Sequence, residues 1–238
     1  MSEQKQHKAY HYRYKFRFPT GLEKNFEVVL NASTLELMTN RDALKPEWTK
    51  LKYHQCANCP LGDAVAHCPV AVNLSTLVET FKDAISFQDI HVRVMTERRD
   101  FEAKTTLQEG LSSIIGIYMV TSNCPIMDRL RPNVRFHLPF ASEEETIYRA
   151  ISMYLTAQYF RMRNREEPDW ELKKLAEVYR GVSEVNKGMS ERLAAASTKD
   201  ANVNAVIHLS TSSQTLDNFL DHCVKEIEYL FPPSPKAG

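Results

Sequence analysis

The sequence predicts an α+β fold, with an N-terminal antiparallel β element, a metal-stapled α/β middle region and a helical C-terminal layer. Three observations support this class. Residues 10–18, YHYRYKFRF, alternate between aromatic and basic side chains with the period of two that is typical of a half-buried strand. After residue 142 the apolar residues recur instead at spacings of three and four, which is the helical pattern. Between these regions three cysteines lie close together, in a spacing typical of metal sites.

The first 38 residues predict a hairpin or a small sheet. The turn residues PTG at 19–21 separate the first alternating segment from a second one, NFEVVLNAS. The segment TLELM, at 34–38, is predicted to add a short third strand. Because the aromatic residues at 10–18 all lie on one side of the first strand, we expect them to face the core and the basic residues to face solvent.

The middle region predicts alternating helices and strands. PEWTKL begins with a proline that suits a first helical turn, and NLSTLVETFKDAIS predicts a helix with Asn73 as its N-cap. IHVRVMT and DFEAKTTL predict two paired strands. LQEGLSSIIGIYMV then places apolar residues along one helical face and predicts a helix that ends just before Cys124.

The C-terminal region predicts helices only. Ser142 and Glu145 form a capping box at the start of the first one. Asp169 is placed to cap a second helix, whose apolar stripe runs through 172–193. A last helical stretch is predicted to begin near Asp200, to be interrupted at STSSQT (210–215) and to resume through Phe219.

The domain organisation follows from this change, at residue 142, from mixed strand and helix patterns to helical patterns only. Residues 1–141 form the β-rich and cysteine-containing region, residues 142–231 form the helical region, and residues 232–238 form a loose tail. No linker of low complexity separates the first two, so we expect one compact unit.

Composition excludes several classes of protein. Thirty basic and thirty acidic residues cancel, which argues against bulk nucleic-acid binding. No apolar stretch is long enough for a membrane span. The opening residues MSEQKQHK lack the apolar segment of a secretory signal, so the predicted location is cytoplasmic. In that reducing compartment the five cysteines indicate metal or redox chemistry rather than structural disulfides.

The segment HQCANCPLGDAVAHCPVA carries the strongest chemical signal. Cys56 and Cys59 form a Cys-x2-Cys pair, and Cys68 follows after eight intervening residues. A tight turn brings the first two sulfurs to the same side of the chain, as a tetrahedral metal site requires. Cys124 is the predicted fourth ligand because it shares with Cys59 and Cys68 the dipeptide Cys–Pro. These four thiolates predict a closed zinc site, with an iron–sulfur cluster as the alternative.

Other assignments of the cysteines stay open at this point. His54 and His67 flank the loop, and either could replace Cys124 as the fourth ligand. Reduced thiols without any metal are a further alternative, since spacing alone produces false matches. Cys223 lies on an apolar helical face and is expected to be a small core residue.

Three segments carry a family resemblance. CANCPL, HCPVA and FHLPFASEEETIYRA resemble segments of a family of bacterial proteins of unknown function, over most of the chain. The resemblance implies a bacterial origin and brings no catalytic residues with it.

A second resemblance concerns the basic face of the first strand. Arg13 and Arg17 form an Arg-x3-Arg motif, and the segment NAS follows at 31–33. The pattern resembles the signature of the PilZ family of cyclic-dinucleotide receptors. Where that signature has a glycine, this sequence has Glu36. The resemblance implies that Arg13 and Arg17 hold phosphate and that Asn31 and Ser33 complete the site. The alternative is a solvated strand face.

A basic segment, DRLRPNVRFH, follows Cys124. Its Arg129, Arg131 and Arg135 have the forked guanidinium groups that suit a small phosphate or carboxylate ligand. The alternative is a loop that forms salt bridges with the acidic residues 143–145.

The function expected from these patterns is a non-catalytic binding or regulatory protein with a structural metal. No nucleophile and base are placed together in the sequence, which argues against an enzyme. An iron–sulfur redox or sensor protein is the alternative, and a cyclic-dinucleotide or other phosphate receptor is a further one. The partner is an unknown protein or a small anion. The chain is expected to be a monomer, or a homodimer in which Asn186 fixes the register of paired helices.

Overall fold

The computed structural model describes residues 9–38, 44–218 and 220–232. Phe219, predicted to lie in the last helix, and most of the predicted tail, residues 233–238, lie outside the described residues. The predicted α+β class is confirmed, with an antiparallel sheet followed by helices.

One four-stranded antiparallel sheet forms the β part of the fold. Its strands are β1 (Ala9–Arg17), β2 (Glu23–Asn31), β3 (Asp89–Met95) and β4 (Asp100–Thr106). The spatial order is β2-β1-β3-β4, so the predicted hairpin of β1 and β2 and the predicted pair of β3 and β4 join through β1 and β3. The alternating pattern predicted each strand but not this central pairing.

The aromatic residues of β1 face the core, as predicted. Tyr12, Tyr14 and Phe16 of β1 and Phe18 directly after it are buried, and Tyr10 is partly buried against the core. Phe16 packs edge-on against Phe81, with ring centroids 5.4 Å apart. An aromatic pair in this geometry stabilises a core by about 1 kcal/mol beyond the area it buries. The period of two therefore identified the buried face of the sheet correctly.

The predicted third strand at 34–38 is wrong, since this segment makes only a single bridge, between Leu30 and Leu37. The reason lies at the end of β2. The side-chain carbonyl of Asn31 accepts hydrogen bonds from the amides of Ser33 and Thr34, at 2.8 and 3.1 Å. This local turn competes with continued strand pairing.

Six α-helices among the described residues cover one side of the sheet or extend beyond it. They are α1 (Pro69–Phe81), α2 (Leu107–Val120), α3 (Glu143–Arg163), α4 (Lys173–Ala196), α5 (Ala201–Asn218) and α6 (Leu220–Ile227). In the described part of the chain, three 3-10 segments occur at Glu47–Thr49, Met127–Phe136 and Glu228–Leu230. The predicted interruption at 210–215 is wrong, because α5 continues through these residues.

Helix α1 begins earlier than predicted. Asn73 is not its N-cap, because the helix starts at Pro69 with Cys68 as the N-cap residue. Proline suits the first helical position, since its fixed φ is already helical and the missing N–H would have had no partner there. The second Cys–Pro dipeptide of the loop is therefore also a helix start.

The two caps predicted in the C-terminal region are present. Ser142 and Glu145 form the capping box of α3. The carboxylate of Asp169 accepts hydrogen bonds from the amides of Lys173 and Lys174, the first two residues of α4, at 3.3 and 2.7 Å. Polar residues that satisfy the free amides of a helix start define where that helix begins.

Helices from both sides of residue 141 pack against one another. Helix α5 contacts α2 on one side and α4 on the other. Helix α2 lies against the sheet, where Gly110 allows close approach to Val92 and Phe16. Asn186 donates a hydrogen bond to Ser213 of α5 in the same chain, at 3.0 Å.

Candidate functional site

Backbone hydrogen bonds alone close the cysteine loop. The amide of Leu51 donates to Ala66 at 3.0 Å, and the amide of Cys68 donates to Thr49 at 2.8 Å, so both ends of the loop are held together. Within it, the amide of Cys59 donates to the carbonyl of Cys56 at 3.1 Å. This tight turn is the one that the Cys-x2-Cys spacing predicted.

Cys124 is positioned by the end of α2. The Oγ atoms of Thr121 and Ser122 donate to the carbonyls of Ile117 and Met119, at 2.7 and 2.6 Å, and satisfy the end of the helix. Asn123 then adopts a left-handed conformation with φ of 64°, which turns the chain sharply. Cys124 follows this turn and is buried.

All four predicted cysteines are free thiols, of which Cys68 and Cys124 are buried. The pKa of the Cys56 thiol is raised to about 12. Burial is the largest cause, and the neighbouring thiols of Cys68, Cys59 and Cys124 contribute to the rise. Burial is also the largest cause of the raised pKa of Cys124, and the thiols of Cys68 and Cys59 add to the rise. Charges perturb one another in this way only when they lie close together.

The thiols are near one another but do not form a closed ligand set. Among residues 9–38, 44–218 and 220–232, no group of three or more His, Cys, Asp or Glu side chains stands in an arrangement that could hold a metal ion. The assignment of Cys56, Cys59, Cys68 and Cys124 as ligands therefore stays a prediction.

The cysteine loop docks on helix α4. A methyl group built on Gly188 would lie 2.8 Å from the Sγ atom of Cys56 and 3.2 Å from its Cα atom. The Cys56 thiol donates to the carbonyl of Val185, with 3.9 Å between sulfur and oxygen. Two residues away, the Nδ2 atom of Asn58 donates to the carbonyl of Gly181 at 2.9 Å. Two glycines of α4 thus face the loop.

Arg192, also on α4, is a residue of this site that sequence reasoning missed. Its side chain is only 1% exposed. One guanidinium nitrogen donates to the carbonyls of Trp48 and Lys50 at 2.5 and 2.7 Å, and the other donates to those of Leu51 and His54 at 3.2 and 3.4 Å. It therefore fastens the chain that enters the cysteine loop to α4.

The electrostatic surroundings of Arg192 are unusual. Within the described part of the chain, no carboxylate lies within 4.0 Å of its guanidinium group. Burial lowers the pKa of Arg192, and the neighbouring groups that oppose this shift are Cys68, Cys56, Cys59 and Tyr53. Three cysteine side chains are thus among the titratable groups that act on this buried cation.

The two histidines predicted as alternative ligands have other partners. The Nδ1 atom of His67 is hydrogen-bonded to the Oγ1 atom of Thr49, at 2.9 Å. The ring of His54 packs edge-on against Tyr53, with 5.0 Å between centroids. Their role as a fourth ligand stays untested.

The residues of the PilZ-like pattern lie along the exposed face of the hairpin. Arg13 and Arg17 pair with Glu27 and Glu23 of β2, at 2.9 and 4.0 Å. Asn31 lies four residues along β2 from Glu27 and eight from Glu23, which corresponds to about 13 and 26 Å. Of the four residues, Asn31 and Ser33 contact each other, and the two arginines are bound to acidic residues.

The basic segment after Cys124 forms the 3-10 segment 127–136 rather than a loop, and its arginines have separate partners. Arg131 binds Asp128 and Glu36, and its guanidinium donates to Asn123 at 2.7 Å. Arg135 lies over the ring of Tyr10, with 4.0 Å to the centroid. Arg129 is exposed. The described salt bridges of this segment do not involve residues 143–145, which were the expected partners.

The comparisons with known proteins give a family and no activity. None of the described helices is long and apolar enough to cross a membrane. No curated protein and no solved structure matches the chain. A family model described as a domain of unknown function, DUF6901, matches residues 12–232. The chain belongs to this family, in agreement with the resemblance to a family of unknown function over most of the chain.

Proposed function

We propose that this protein is a metal-binding protein of the cytoplasm, in which Cys56, Cys59, Cys68 and Cys124 hold one zinc ion as thiolates. The metal is structural, and the protein is a non-catalytic binding or regulatory protein. Thiolate sulfur is a soft ligand suited to zinc and to iron–sulfur clusters, so the donor set fits both. An iron–sulfur redox or sensor protein is the alternative.

The observation that carries the proposal is the buried guanidinium of Arg192. A buried cation costs several kcal/mol unless negative charge offsets it. The four carbonyls accept hydrogen bonds from its two terminal nitrogens but carry no net charge, and its Nε atom has no hydrogen-bond partner among the described residues. Four thiolates around a divalent ion have a net charge of about −2, which would offset the charge of Arg192. Three of these four cysteines are among the groups that oppose the lowering of its pKa, together with Tyr53.

A metal in this place has a clear structural role. It would join the loop at 56–68 to Cys124, which follows helix α2, across more than fifty residues of sequence. Because the unfolded chain has no preformed site, the free energy of metal binding adds to the free energy of folding. The raised pKa values of Cys56 and Cys124 mean that binding must release protons, so affinity should increase with pH.

Elemental analysis of protein purified without oxygen tests the proposal. We expect one zinc ion per chain and no visible absorbance. Cys124→Ser should lose most of the metal and much thermal stability. Cys223→Ser is the matched control, because Cys223 is a buried thiol on α6 and not part of the cluster.

Three results would correct the proposal in different ways. A brown preparation with stoichiometric iron and sulfide would replace zinc with an iron–sulfur cluster. Metal retained in Cys124→Ser but lost in His54→Ala or His67→Ala would assign a different fourth ligand. Protein that neither contains metal nor takes up zinc when its thiols are reduced would refute the metal site.

A further inference from the structure

A second feature, separate from the cysteines, is a cavity enclosed by helices. It measures about 470 Å³ and lies between α2, the 3-10 segment 127–136, α3, α4 and α5. This volume is within the range of sites for small organic molecules, which is about 300–1,000 Å³. Because the exposed residue His208 of α5 also lines it, the cavity reaches the surface beside that helix.

Most of the cavity wall is apolar. Ile117 and Val120 contribute from α2, Leu130 and Val134 from the 3-10 segment, and Leu209 from α5. An apolar wall of this kind favours a hydrocarbon or aromatic body over a sugar or a nucleotide, whose polar groups would lose water without finding partners.

Two polar groups with spare hydrogen-bonding capacity meet at this wall. Arg149 of α3 donates one hydrogen bond, to the main-chain carbonyl of Asn133 at 3.2 Å, and no carboxylate lies within 4.0 Å of it among the described residues. Tyr179 of α4 is only 6% exposed, yet its hydroxyl makes no hydrogen bond to any described residue. The hydroxyl is not one of the side-chain atoms that lack both a hydrogen-bond partner and any accessible surface. Because Tyr179 lines the cavity, we infer that a ligand there can reach the hydroxyl.

Arg149 and Tyr179 line the same cavity, and each influences the pKa of the other. The guanidinium of Arg149 opposes the rise in the pKa of the Tyr179 hydroxyl that burial causes. Burial lowers the pKa of Arg149, and Tyr179 is the neighbouring group that opposes this shift most. A charged fork beside a free hydroxyl is the arrangement that binds one carboxylate through several hydrogen bonds.

The charges around the cavity define the class of ligand. The titratable groups that line it are Glu109, His137, Arg149, Tyr179 and His208. Burial lowers the pKa of His137 to about 3, so this imidazole is neutral at pH 7, and its Nε2 atom is hydrogen-bonded to Tyr14 at 2.7 Å. Arg149 is therefore the one permanent cation among these lining residues.

Glu109 adds a negative charge at another part of the wall. Its carboxylate belongs to the capping box of α2, and the hydroxyl of Thr105 lowers its pKa, so it is ionised. A ligand with two negative charges would have one cation to meet it and a carboxylate to repel it, and uncompensated buried charge is costly. One negative charge is the number that this cavity accommodates.

We propose that the cavity binds a monocarboxylic acid with an apolar body, whose carboxylate is held by Arg149 and Tyr179. The apolar body lies against Ile117, Val120, Leu130, Val134 and Leu209. Neither residue of the carboxylate site is a proposed metal ligand.

Calorimetric titration with octanoate and with phenylacetate tests the site, with 1-octanol and octyl phosphate as head-group controls. We expect saturable one-to-one binding of at least one of the two acids. The matching alcohol should bind more weakly by about tenfold or more, because it leaves the guanidinium without an anion. Octyl phosphate, which carries more charge, should also bind more weakly than octanoate.

Three variants locate the binding. Arg149→Met should weaken carboxylate binding by about tenfold or more and should abolish the preference for octanoate over octanol. Tyr179→Phe removes only the unpaired hydroxyl, so it keeps the fold even if Arg149→Met does not, and should weaken the acid but not the alcohol. Arg163→Met, an exposed arginine at the end of the same helix, is the control and should change nothing.

Several outcomes would overturn the proposal. Absence of saturable binding for both acids would show that the cavity is not a carboxylate site. Equal affinity for octanoate and octanol, or affinity for the acids that is unchanged in Tyr179→Phe, would show that the polar pair does not select the ligand. Tighter binding of octyl phosphate than of octanoate would show that the ligand class is wrong.

Discussion

Replacing Gly188 with alanine tests whether the cysteine loop depends on its contact with α4. The added methyl group would lie 2.8 Å from the Sγ atom and 3.2 Å from the Cα atom of Cys56. The first contact can be relieved by turning the cysteine side chain, but the second involves the backbone of the loop. Gly188→Ala should therefore displace Cys56 from the other thiols.

The magnitude follows from two opposing effects. Alanine in the interior of a helix is more favourable than glycine by about 1 kcal/mol. Overpacking at a tight contact costs about 1–3 kcal/mol. At Gly181 on the same helix the nearest atom, Cγ2 of Ile126, lies at 3.3 Å, and the next one at 3.8 Å, so the packing cost is smaller there. Gly188→Ala should therefore be less stable than Gly181→Ala by about 1–3 kcal/mol.

Urea denaturation of both variants measures this difference, and elemental analysis measures its consequence for the site. We expect Gly181→Ala to retain its metal and Gly188→Ala to lose a large part of it. If the two variants were equally stable and contained equal metal, the contact between Cys56 and α4 would not constrain the site, and the reasoning would be refuted.

The remaining predictions concern charges. Because the pKa of His137 is about 3 in the folded state and 6.5 in its ordinary range, the unfolded state binds more protons between these values, and stability should fall by about 1–2 kcal/mol from pH 7 to pH 5; His137→Gln should flatten this slope in urea titrations at the two pH values. Arg192→Met should lower the free energy of unfolding by about 3–5 kcal/mol, as loss of a buried charged network does, and a loss below about 1 kcal/mol would contradict its role. Arg13→Ala combined with Arg17→Ala removes exposed ion pairs and should cost about 0–1 kcal/mol by the same assay, whereas a thermal shift by a cyclic dinucleotide that this double variant abolishes would support the PilZ-like alternative.

The parts of the fold that sequence predicted well are those defined by local periodicity. Helix α2 has the bounds that its apolar stripe indicates, and the capping box at Ser142 begins α3 as expected. The aromatic stripe of β1 is the buried face. These patterns are legible because a strand or a helix repeats its environment every two or every three to four residues.

The parts that sequence did not predict depend on long-range contacts. The pairing of β1 with β3 joins strands that are separated by helix α1, and nothing in either strand specifies that neighbour. The 3-10 segment 127–136 contains Pro132 and many charged residues, which resemble a loop in the sequence. Asn73 was a plausible cap by residue type, but Pro69 had already begun the helix.

The candidate site shows the same division. The recurring Cys–Pro dipeptide predicts that Cys124 belongs with the loop, and Cys68 and Cys59 are among the groups that raise its pKa. Arg192 gave no signal, because an arginine in a polar helical segment ordinarily faces water. Its burial becomes apparent only when the loop some 140 residues earlier is folded against it.

Helix α4 carries two sets of residues that contribute to the two sites, and the sequence pattern indicates only one of these sets. Tyr179, Val182 and Asn186 follow spacings of three and four, contribute to its apolar stripe and line the cavity. A second set, Gly181, Val185, Gly188 and Arg192, has the same helical spacing and contacts the cysteine loop.

The two sets lie about a third of a turn apart, at 3.6 residues per turn. The second contains two glycines and an arginine, so it has no hydrophobic periodicity by which it could be recognised. One rigid helix therefore forms a wall of both sites, and Leu130, six residues after Cys124, lines the cavity as well. Ordering the cysteine loop against α4 would also fix the position of the helix that carries Tyr179. A structural metal in this protein would thus help to shape the cavity without taking part in what the cavity binds.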